Sequence, residues 1–115
     1  MTVLVCGGRD YADYPRVCAV LDQRLAVSPT MFVRHGAARG ADSLAHRWAI
    51  SRGIVVERYP ADWLRYGRSA GLRRNAVMLA DGSVALVIAF PGGRGTQDMI
   101  RRAQSMYIPV EAVQP

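Results

Sequence analysis

Three glycine-rich turns, each with an arginine beside its glycines, hold the residues of this chain that are best suited to chemistry. The turns are Gly7-Gly8-Arg9-Asp10, His35-Gly36-Ala37-Ala38-Arg39-Gly40-Ala41-Asp42 and Pro91-Gly92-Gly93-Arg94-Gly95-Thr96. They contain seven of the 11 glycines in the chain. Backbone N–H groups and guanidinium groups together are the equipment that binds a phosphate or a pyrophosphate. We therefore predict that the three turns bind an anionic ligand.

The third turn follows the most apolar stretch of the chain. Ala85–Phe90 carries no charge, which is typical of a central strand buried on both faces. Thr96 is a favourable N-cap for a helix that we predict from about Gln97 to Tyr107. A strand, a glycine turn and a helix N-terminus in that order form an anion site, because unpaired N–H groups and the positive helix end face the ligand. A tight connection that binds nothing is the alternative for any one such turn.

None of the turns is a Walker A loop or a dinucleotide fingerprint. The chain has no lysine and no Gly-x-Gly-x-x-Gly sequence. Phosphate recognition is therefore assigned to backbone N–H groups and to four arginines, which are Arg9, Arg39, Arg74 and Arg94.

Other polar side chains in the turns have both a ligand role and a structural role open to them. Asp10 and Asp42 either accept hydrogen bonds from ribose hydroxyls or cap a turn or helix. His35 either touches the ligand or is a buried histidine satisfied by the protein, and we favour the second interpretation. Trp63, in a ten-residue segment predicted to be a loop, either stacks on a base or packs on the core.

Strands alternate with helices along the whole chain. We predict strands at Thr2–Cys6, Met31–Arg34, Ile54–Arg58, Ala85–Phe90 and Ile108–Val113, and helices from Asp13 to Val27, Ala41 to Gly53, Ser69 to Gly82 and Gln97 to Tyr107. This order predicts a single α/β domain over residues 1–115, a Rossmann-like three-layer sandwich with helices on both faces of a parallel sheet of about five strands. If the first and fourth strands are neighbours, their glycine turns face each other across one crevice at the carboxyl edge of the sheet.

Composition restricts the partners without selecting one. The formal net charge is +6 and the isoelectric point is about 10.1, which favours a phosphorylated small molecule, a nucleic acid or another anionic partner. No apolar run reaches the length of a bilayer span and no signal-peptide pattern is present, so we expect a cytoplasmic protein. Cys6 and Cys18 are predicted to be buried free thiols. We expect no metal site and no cofactor.

Five ordered motifs, spread over nearly the whole chain, carry a family resemblance. They are Gly7-Gly8-Arg9-Asp10-Tyr11, His35 to Asp42, Tyr59-Pro60-Ala61-Asp62-Trp63, Arg74-Asn75-x-x-Met78 and Pro91 to Thr96. Together they resemble the YspA, or cpYpsA-related, branch of the SLOG superfamily. The resemblance implies a Rossmann-like fold, a homodimer, and a nucleotide or nucleotide-derived ligand such as a nucleoside monophosphate, NAD or ADP-ribose. It also places Arg74 and Asn75 beside the three glycine turns.

The same superfamily contains LOG-type phosphoribohydrolases, which cleave the N-glycosidic bond of a nucleotide, and the DNA-processing protein A family. The LOG enzymes carry Pro-Gly-Gly-x-Gly-Thr-x-x-Glu and an upstream Arg-x-x-x-Met. Arg74 and Met78 match the upstream pair, but Met99 stands where the Glu is expected and falls on an apolar helix face. Asp98 lies one position earlier, about 100° away around a helix. If the chain is an enzyme, the resemblance makes Arg74 and Asp98 the catalytic candidates.

The missing glutamate weakens the enzyme hypothesis, because glycosidic cleavage requires a carboxylate. We therefore rank nucleotide binding first and an N-glycosidase second. A nucleic-acid-binding module ranks last, since no recognised reading motif accompanies the charge.

Overall fold

The computed structural model describes the whole chain, residues 1–115. The strands are β1 (Thr2–Cys6), β2 (Phe32–His35), β3 (Val56–Arg58), β4 (Val84–Ala89) and β5 (Val110–Ala112). The α-helices are α1 (Tyr14–Val27), α2 (Ala41–Ser51), α3 (Trp63–Tyr66), α4 (Ala70–Ala80) and α5 (Arg94–Ser105), and a 3-10 turn (Gly67–Ser69) joins α3 to α4. None of the helices has the length and apolarity needed to cross a membrane.

The five strands form one parallel sheet in the order β3-β2-β1-β4-β5. β1 lies at the centre and pairs with both β2 and β4, and its last residue, Cys6, lies opposite Ala89. The chain builds outward from β1 on one side and from β4 on the other, so the strand order reverses between them. The predicted neighbourhood of the first and fourth strands is therefore confirmed.

Alternate residues of β1 point into two separate cores, as the pleat of a strand requires. Val3 and Val5 face the core that contains Val17 of α1 and Trp48 of α2. Leu4 and Cys6 face the core that contains buried side chains of α4 and α5, among them Met99. Helices thus cover both faces of the sheet, and the predicted Rossmann-like three-layer sandwich is confirmed.

One sequence prediction about a helix start is wrong. Helix α5 begins at Arg94 rather than Gln97, because Gln97 N–H already bonds to the Gly93 carbonyl at 3.0 Å. Gly93 is the N-cap, so Thr96 is not a cap but a buried residue of the first helical turn. The helix α4 begins at Ala70, one residue after its predicted start, with Ser69 in the N-cap position but without a side-chain capping bond.

The ten-residue segment predicted to be a loop contains the single-turn helix α3. The Asp62 carboxylate caps it by accepting the N–H of Arg65 at 3.1 Å. One turn is too short to show a helical repeat, which is why the sequence pattern missed it. The first strand has the predicted bounds, and the other four predicted strands differ from the observed ones only at their ends.

A buried arginine links β2 to the end of α4. The guanidinium of Arg34, with 4% of its surface exposed, pairs with Glu57 at 3.0 Å and donates to the carbonyls of Met78, at 2.7 Å, and Asp81. It also stacks on the Tyr59 ring at 4.9 Å. Four partners, on β3, at the end of α4 and just after β3, therefore depend on one side chain.

Replacing this side chain tests that interpretation. We expect Arg34→Met to lower the free energy of unfolding by about 2–4 kcal/mol, because Glu57 and the carbonyls at the end of α4 lose their buried partner. Arg101→Met is the matched control, since Arg101 is exposed and makes no ion pair, and we expect a change within about 0.5 kcal/mol. Urea unfolding of both proteins measures the difference, and equal stabilities would contradict the assignment.

Candidate functional site

A cleft of about 380 Å³ lies at the carboxyl ends of β1 and β4, where the strand order reverses. Parallel α/β sheets bind ligands at this position. The cleft is lined by Val5, Cys6, Gly7, Gly8, Arg9, Ala38, Asp42, Trp63, Arg68, Gly71, Leu72, Arg74, Asn75, Met78, Gly93, Arg94, Gly95 and Thr96. Residues from all three glycine turns therefore meet in one place.

Hydrogen bonds from Gly8 hold the three turns together. Gly8 N–H donates to the Pro91 carbonyl at 2.9 Å, and its own carbonyl accepts the N–H of Ala41 at 3.1 Å. A Cβ atom on Gly92 would lie 2.6 Å from the Gly8 nitrogen, and one on Gly40 would lie 2.2 Å from the Gly8 oxygen. These glycines therefore allow one backbone segment to approach another closely.

Two other glycines lie beside open space. A Cβ atom on Gly93 or Gly95 would meet no atom within 4 Å, and both residues line the cleft. The N–H groups of Arg94, Gly95 and Thr96, in the first turn of α5, have no acceptor within the protein. The positive end of a 12-residue helix is therefore open to the cleft.

The cleft is strongly basic. Arg9, Arg68, Arg74 and Arg94 line it, and Asp42 is the one acidic residue among the lining residues. Only five of the 15 arginines in the chain pair with a carboxylate, and none of these four is among them. Unneutralised positive charge is thus concentrated around the open helix end.

Arg74 is fixed by the wall behind the cleft. Its Nη1 donates to the Gly36 carbonyl and its Nε donates to the Asn75 side-chain oxygen at 3.1 Å. Asn75 in turn donates to Asp98 at 3.1 Å, and Asp98 accepts from Arg102 at 2.8 Å. A relay of side chains therefore runs from the surface of α5 through α4 to the guanidinium in the cleft.

The two catalytic candidates are placed differently by this relay. Arg74 lines the cleft, whereas Asp98 is not among the lining residues and its carboxylate is bonded to Asn75 and Arg102. Met99, at the position where LOG enzymes carry glutamate, is fully buried in the core. The predicted core position of Met99 is confirmed.

Asp42 closes the turn after β2. Its carboxylate accepts the N–H groups of Gly36, at 3.1 Å, and Ala38, at 3.2 Å. Burial raises the pKa of Asp42 from 3.8 to about 6, although these N–H groups and Arg74 act in the opposite direction. Asp42 thus combines a structural role with a position in the cleft wall.

His35 lies behind the same turn. Its Nδ1 accepts the N–H of Ala37 at 2.9 Å, and its Nε2 is 3.0 Å from Nδ1 of His46. Burial, followed by the charges of His46, Arg58 and Arg74, lowers the pKa of His35 from 6.5 to about 4. Both ring nitrogens are satisfied by the protein and His35 does not line the cleft, as expected of a structural histidine.

A second cavity of about 420 Å³ adjoins the cleft. It is lined by Gly36, Ala37, Arg39, Pro60 and Ala61, and it shares Arg9, Ala38, Trp63 and Arg74 with the cleft. Arg39 and Asp10 form an exposed ion pair of 3.5 Å at the mouth of the second cavity.

Trp63 forms part of the wall between the two cavities. The Arg9 guanidinium lies 5.0 Å from its ring centre, and a Cβ atom on Gly71 would lie 3.3 Å from its Cη2 atom. The sequence alone leaves base stacking and core packing both open for Trp63, and it does not indicate that Arg68, Gly71 and Leu72 line the site. No periodic signal marks these residues, because they depend on how α3 folds over α4.

The cleft floor includes the Cys6 thiol. Both cysteines are free, with Cys6 buried and Cys18 half-buried. Burial raises the pKa of Cys6 to about 12, so the thiol is protonated at neutral pH and is a poor nucleophile.

Alanine substitutions at the two kinds of glycine should change the unfolding free energy differently. In Gly92→Ala the new methyl group meets the backbone of Gly8, so we expect a loss of about 1–3 kcal/mol in unfolding free energy. In Gly95→Ala the methyl group enters open space within a helix, where alanine is favoured by up to about 1 kcal/mol. Urea unfolding compares the two, and equal destabilisation would contradict the distinction.

The shifted pKa values of His35 and Asp42 predict opposite pH dependences of the free energy of unfolding. The pKa of His35 is lowered by folding, so its contribution is lost as pH falls from about 6.5 to about 4. The pKa of Asp42 is raised by folding, so its contribution is lost as pH rises from about 4 to about 6. Relative to the unsubstituted protein, Asp42→Asn should therefore lose more stability on acidification and His35→Asn should lose less. Urea unfolding at several pH values between 4 and 6.5 measures how the unfolding free energy of each variant changes with pH. If both variants differ from the unsubstituted protein in the same direction, the two pKa shifts are not as described.

Comparison with known proteins identifies the family of the chain. The sequence model of the YspA, cpYpsA-related SLOG family matches residues 1–66, which include the turns after β1 and β2 and Trp63. The Gene 61 protein of Mycobacterium phage D29 is 40% identical over 116 aligned residues, which cover 94% of this chain and 92% of that protein. The chain therefore belongs to the YspA, cpYpsA-related SLOG family, a membership that indicates a nucleotide-related role in binding or processing.

Proposed function

We propose that this protein binds a nucleotide or a nucleotide-derived ligand, such as a nucleoside monophosphate, NAD or an ADP-ribose-like molecule, in the cleft between β1 and β4. One observation carries the proposal. The unpaired N–H groups in the first turn of α5 open into a cleft lined by four arginines and a single, buried carboxylate.

The phosphate binds at the start of α5. Three N–H groups and a helix end equivalent to about half a positive charge favour an anion there. Arg94 lies in the same turn, and Arg74 is held in place by Gly36 and Asn75, so its geometry is set before the ligand arrives. A preorganised guanidinium loses less entropy on binding than a free one.

The cavities suit a ligand larger than phosphate. The cleft of about 380 Å³ is within the usual range for small-molecule sites, and the second cavity of about 420 Å³ adjoins it at Arg9, Trp63 and Arg74. A nucleoside monophosphate fits the first cavity, and a two-part ligand occupies both. The 46% exposed indole of Trp63 offers an aromatic surface at the junction.

The alternative reaction, N-glycosidic hydrolysis, has weaker support. It requires a carboxylate beside the sugar, and Asp98 is bonded to Asn75 and Arg102 outside the cleft lining. Asp42 does line the cleft, but its carboxylate already accepts two backbone N–H groups. The observations therefore favour binding over turnover, and a compound that binds would be assayed directly for release of its base.

A matched pair of arginine variants tests the proposal. Arg94 and Arg101 are both exposed on α5 and neither pairs with a carboxylate, but only Arg94 lines the cleft. We expect Arg94→Ala to weaken binding of AMP, NAD or ADP-ribose by about 10- to 100-fold, the value of one charged hydrogen bond, and Arg101→Ala to leave it unchanged. Thermal unfolding with each compound measures affinity, since a ligand at 100 times its Kd adds about 2.7 kcal/mol.

Tryptophan fluorescence provides a second readout of the same experiment. Trp48 is fully buried, so a ligand-dependent change must come from Trp63 and should vanish in Trp63→Phe. If none of the compounds stabilises the unsubstituted protein, the proposal is wrong. If only single-stranded DNA does so, with an affinity that falls steeply with salt, the basic surface binds nucleic acid instead.

A further inference from the structure

Two histidines lie in contact behind the turn that follows β2. His35 is the last residue of β2 and is 2% exposed, and His46 lies on α2. The Nε2 atom of His35 is 3.0 Å from the Nδ1 atom of His46, and the rings are nearly perpendicular, at 86°. Neither histidine lines the cleft or the second cavity.

The hydrogen bonds fix the protons of both rings. Ala37 N–H donates to Nδ1 of His35, so this nitrogen carries no proton. A neutral His35 therefore carries its proton on Nε2 and donates it to Nδ1 of His46. His46 then carries its own proton on Nε2. The opposite tautomer of His35 would place two N–H groups against each other at Ala37.

The peptide held by this chain of bonds is an unusual one. Ala37 has a φ of +57°, a conformation that costs a residue with a Cβ of order 1 kcal/mol. Its neighbours Gly36 and Ala38 are held by Asp42, and Ala38 lines both cavities. The bond to His35 is thus the one side-chain contact that holds the Ala37 N–H.

The surroundings of His35 support the neutral form. Burial disfavours a positive charge on the ring most, followed by His46, by Arg58 at the end of β3 and by Arg74 on α4. Asp42, on α2, is directed instead to the N–H groups of Gly36 and Ala38. With the ring neutral, its Nε2-protonated tautomer is held at both nitrogens, by the Ala37 N–H at Nδ1 and by the acceptor Nδ1 of His46 at Nε2.

We propose that His46 is a positioning residue: its Nδ1 atom fixes the tautomer of His35 and thereby holds the Ala37 peptide that shapes the wall shared by the two cavities. The effect on the conformation of the turn follows from the hydrogen bonds alone. The effect on ligand affinity rests on the function proposed above.

Two substitutions of nearly equal polarity separate this role from simple packing. In His46→Asn the side-chain oxygen can occupy the place of Nδ1 and accept from His35. In His46→Gln the polar atoms lie one bond further out, near the place of Nε2, so His35 loses its acceptor. His46→Ala removes the acceptor altogether.

Nitrogen-15 NMR of the ligand-free protein reads the His35 tautomer directly. We expect a single Nε2-protonated form of His35 in the unsubstituted protein and in His46→Asn, and a mixture of tautomers in His46→Gln and His46→Ala. Hydrogen exchange at the Ala37 amide should be at least about tenfold faster in the latter two variants, since its acceptor is no longer held in one form. An Nδ1-protonated His35 in the unsubstituted protein, or His46→Gln behaving like His46→Asn, would overturn the proposal.

The remaining outcomes are also decisive. If His46→Gln and His46→Ala do not fold, an Nε2-protonated His35 in both the unsubstituted and the Asn proteins supports the proposal, and any other form overturns it. Titration with AMP and ADP-ribose then measures the effect on the cleft, where we expect weaker binding in His46→Gln than in His46→Asn. If the NMR readouts follow the proposal while neither compound binds any form, the proposed function fails and the role of His46 in the turn stands.

Discussion

The peptide groups around Gly8 are the contact on which the rest of this site depends. A single residue donates to the turn after β4 and accepts from the first residue of α2, so three chain segments meet within hydrogen-bonding distance at the centre of the sheet edge. The absence of side chains makes this possible, because a Cβ atom on Gly40 or Gly92 would overlap the Gly8 backbone. The cleft is what remains between the turns once they are joined in this way.

The joined turns explain how a basic, 115-residue domain can present charge in a defined geometry. Long arginine side chains are flexible and gain little from exposed positions. Here Arg74 is held by Gly36 and by the Asn75–Asp98–Arg102 relay, while Arg9 rests on Trp63. The start of α5 adds three N–H groups that need no ordering at all. The rigid N–H donors and the supported guanidinium groups thus line the same cleft.

Much of this arrangement is readable from the sequence, and the reasons are physical. Strand and helix order follows from hydrophobic periodicity, and the parallel sheet then brings the three glycine turns to one edge. The start of α5 and the helix at Trp63 were missed, since both depend on single-turn geometry that leaves no repeat. The role of each glycine is the feature that the sequence predicts least well. Sequence alone cannot tell a glycine that admits a ligand from one, such as Gly92, that admits another peptide group.

The helix α3, which carries Trp63, buries none of its residues, and Leu64 within it is fully exposed. The cleft therefore has a wall that contributes little to the stability of the core, opposite the glycine turns that are built into the sheet edge. Substitutions in this wall cost little folding energy, whereas those in the glycine turns disturb the backbone contacts that join them. Under the function proposed above, changes in α3 therefore alter which molecule the cleft admits while the joined glycine turns stay the same.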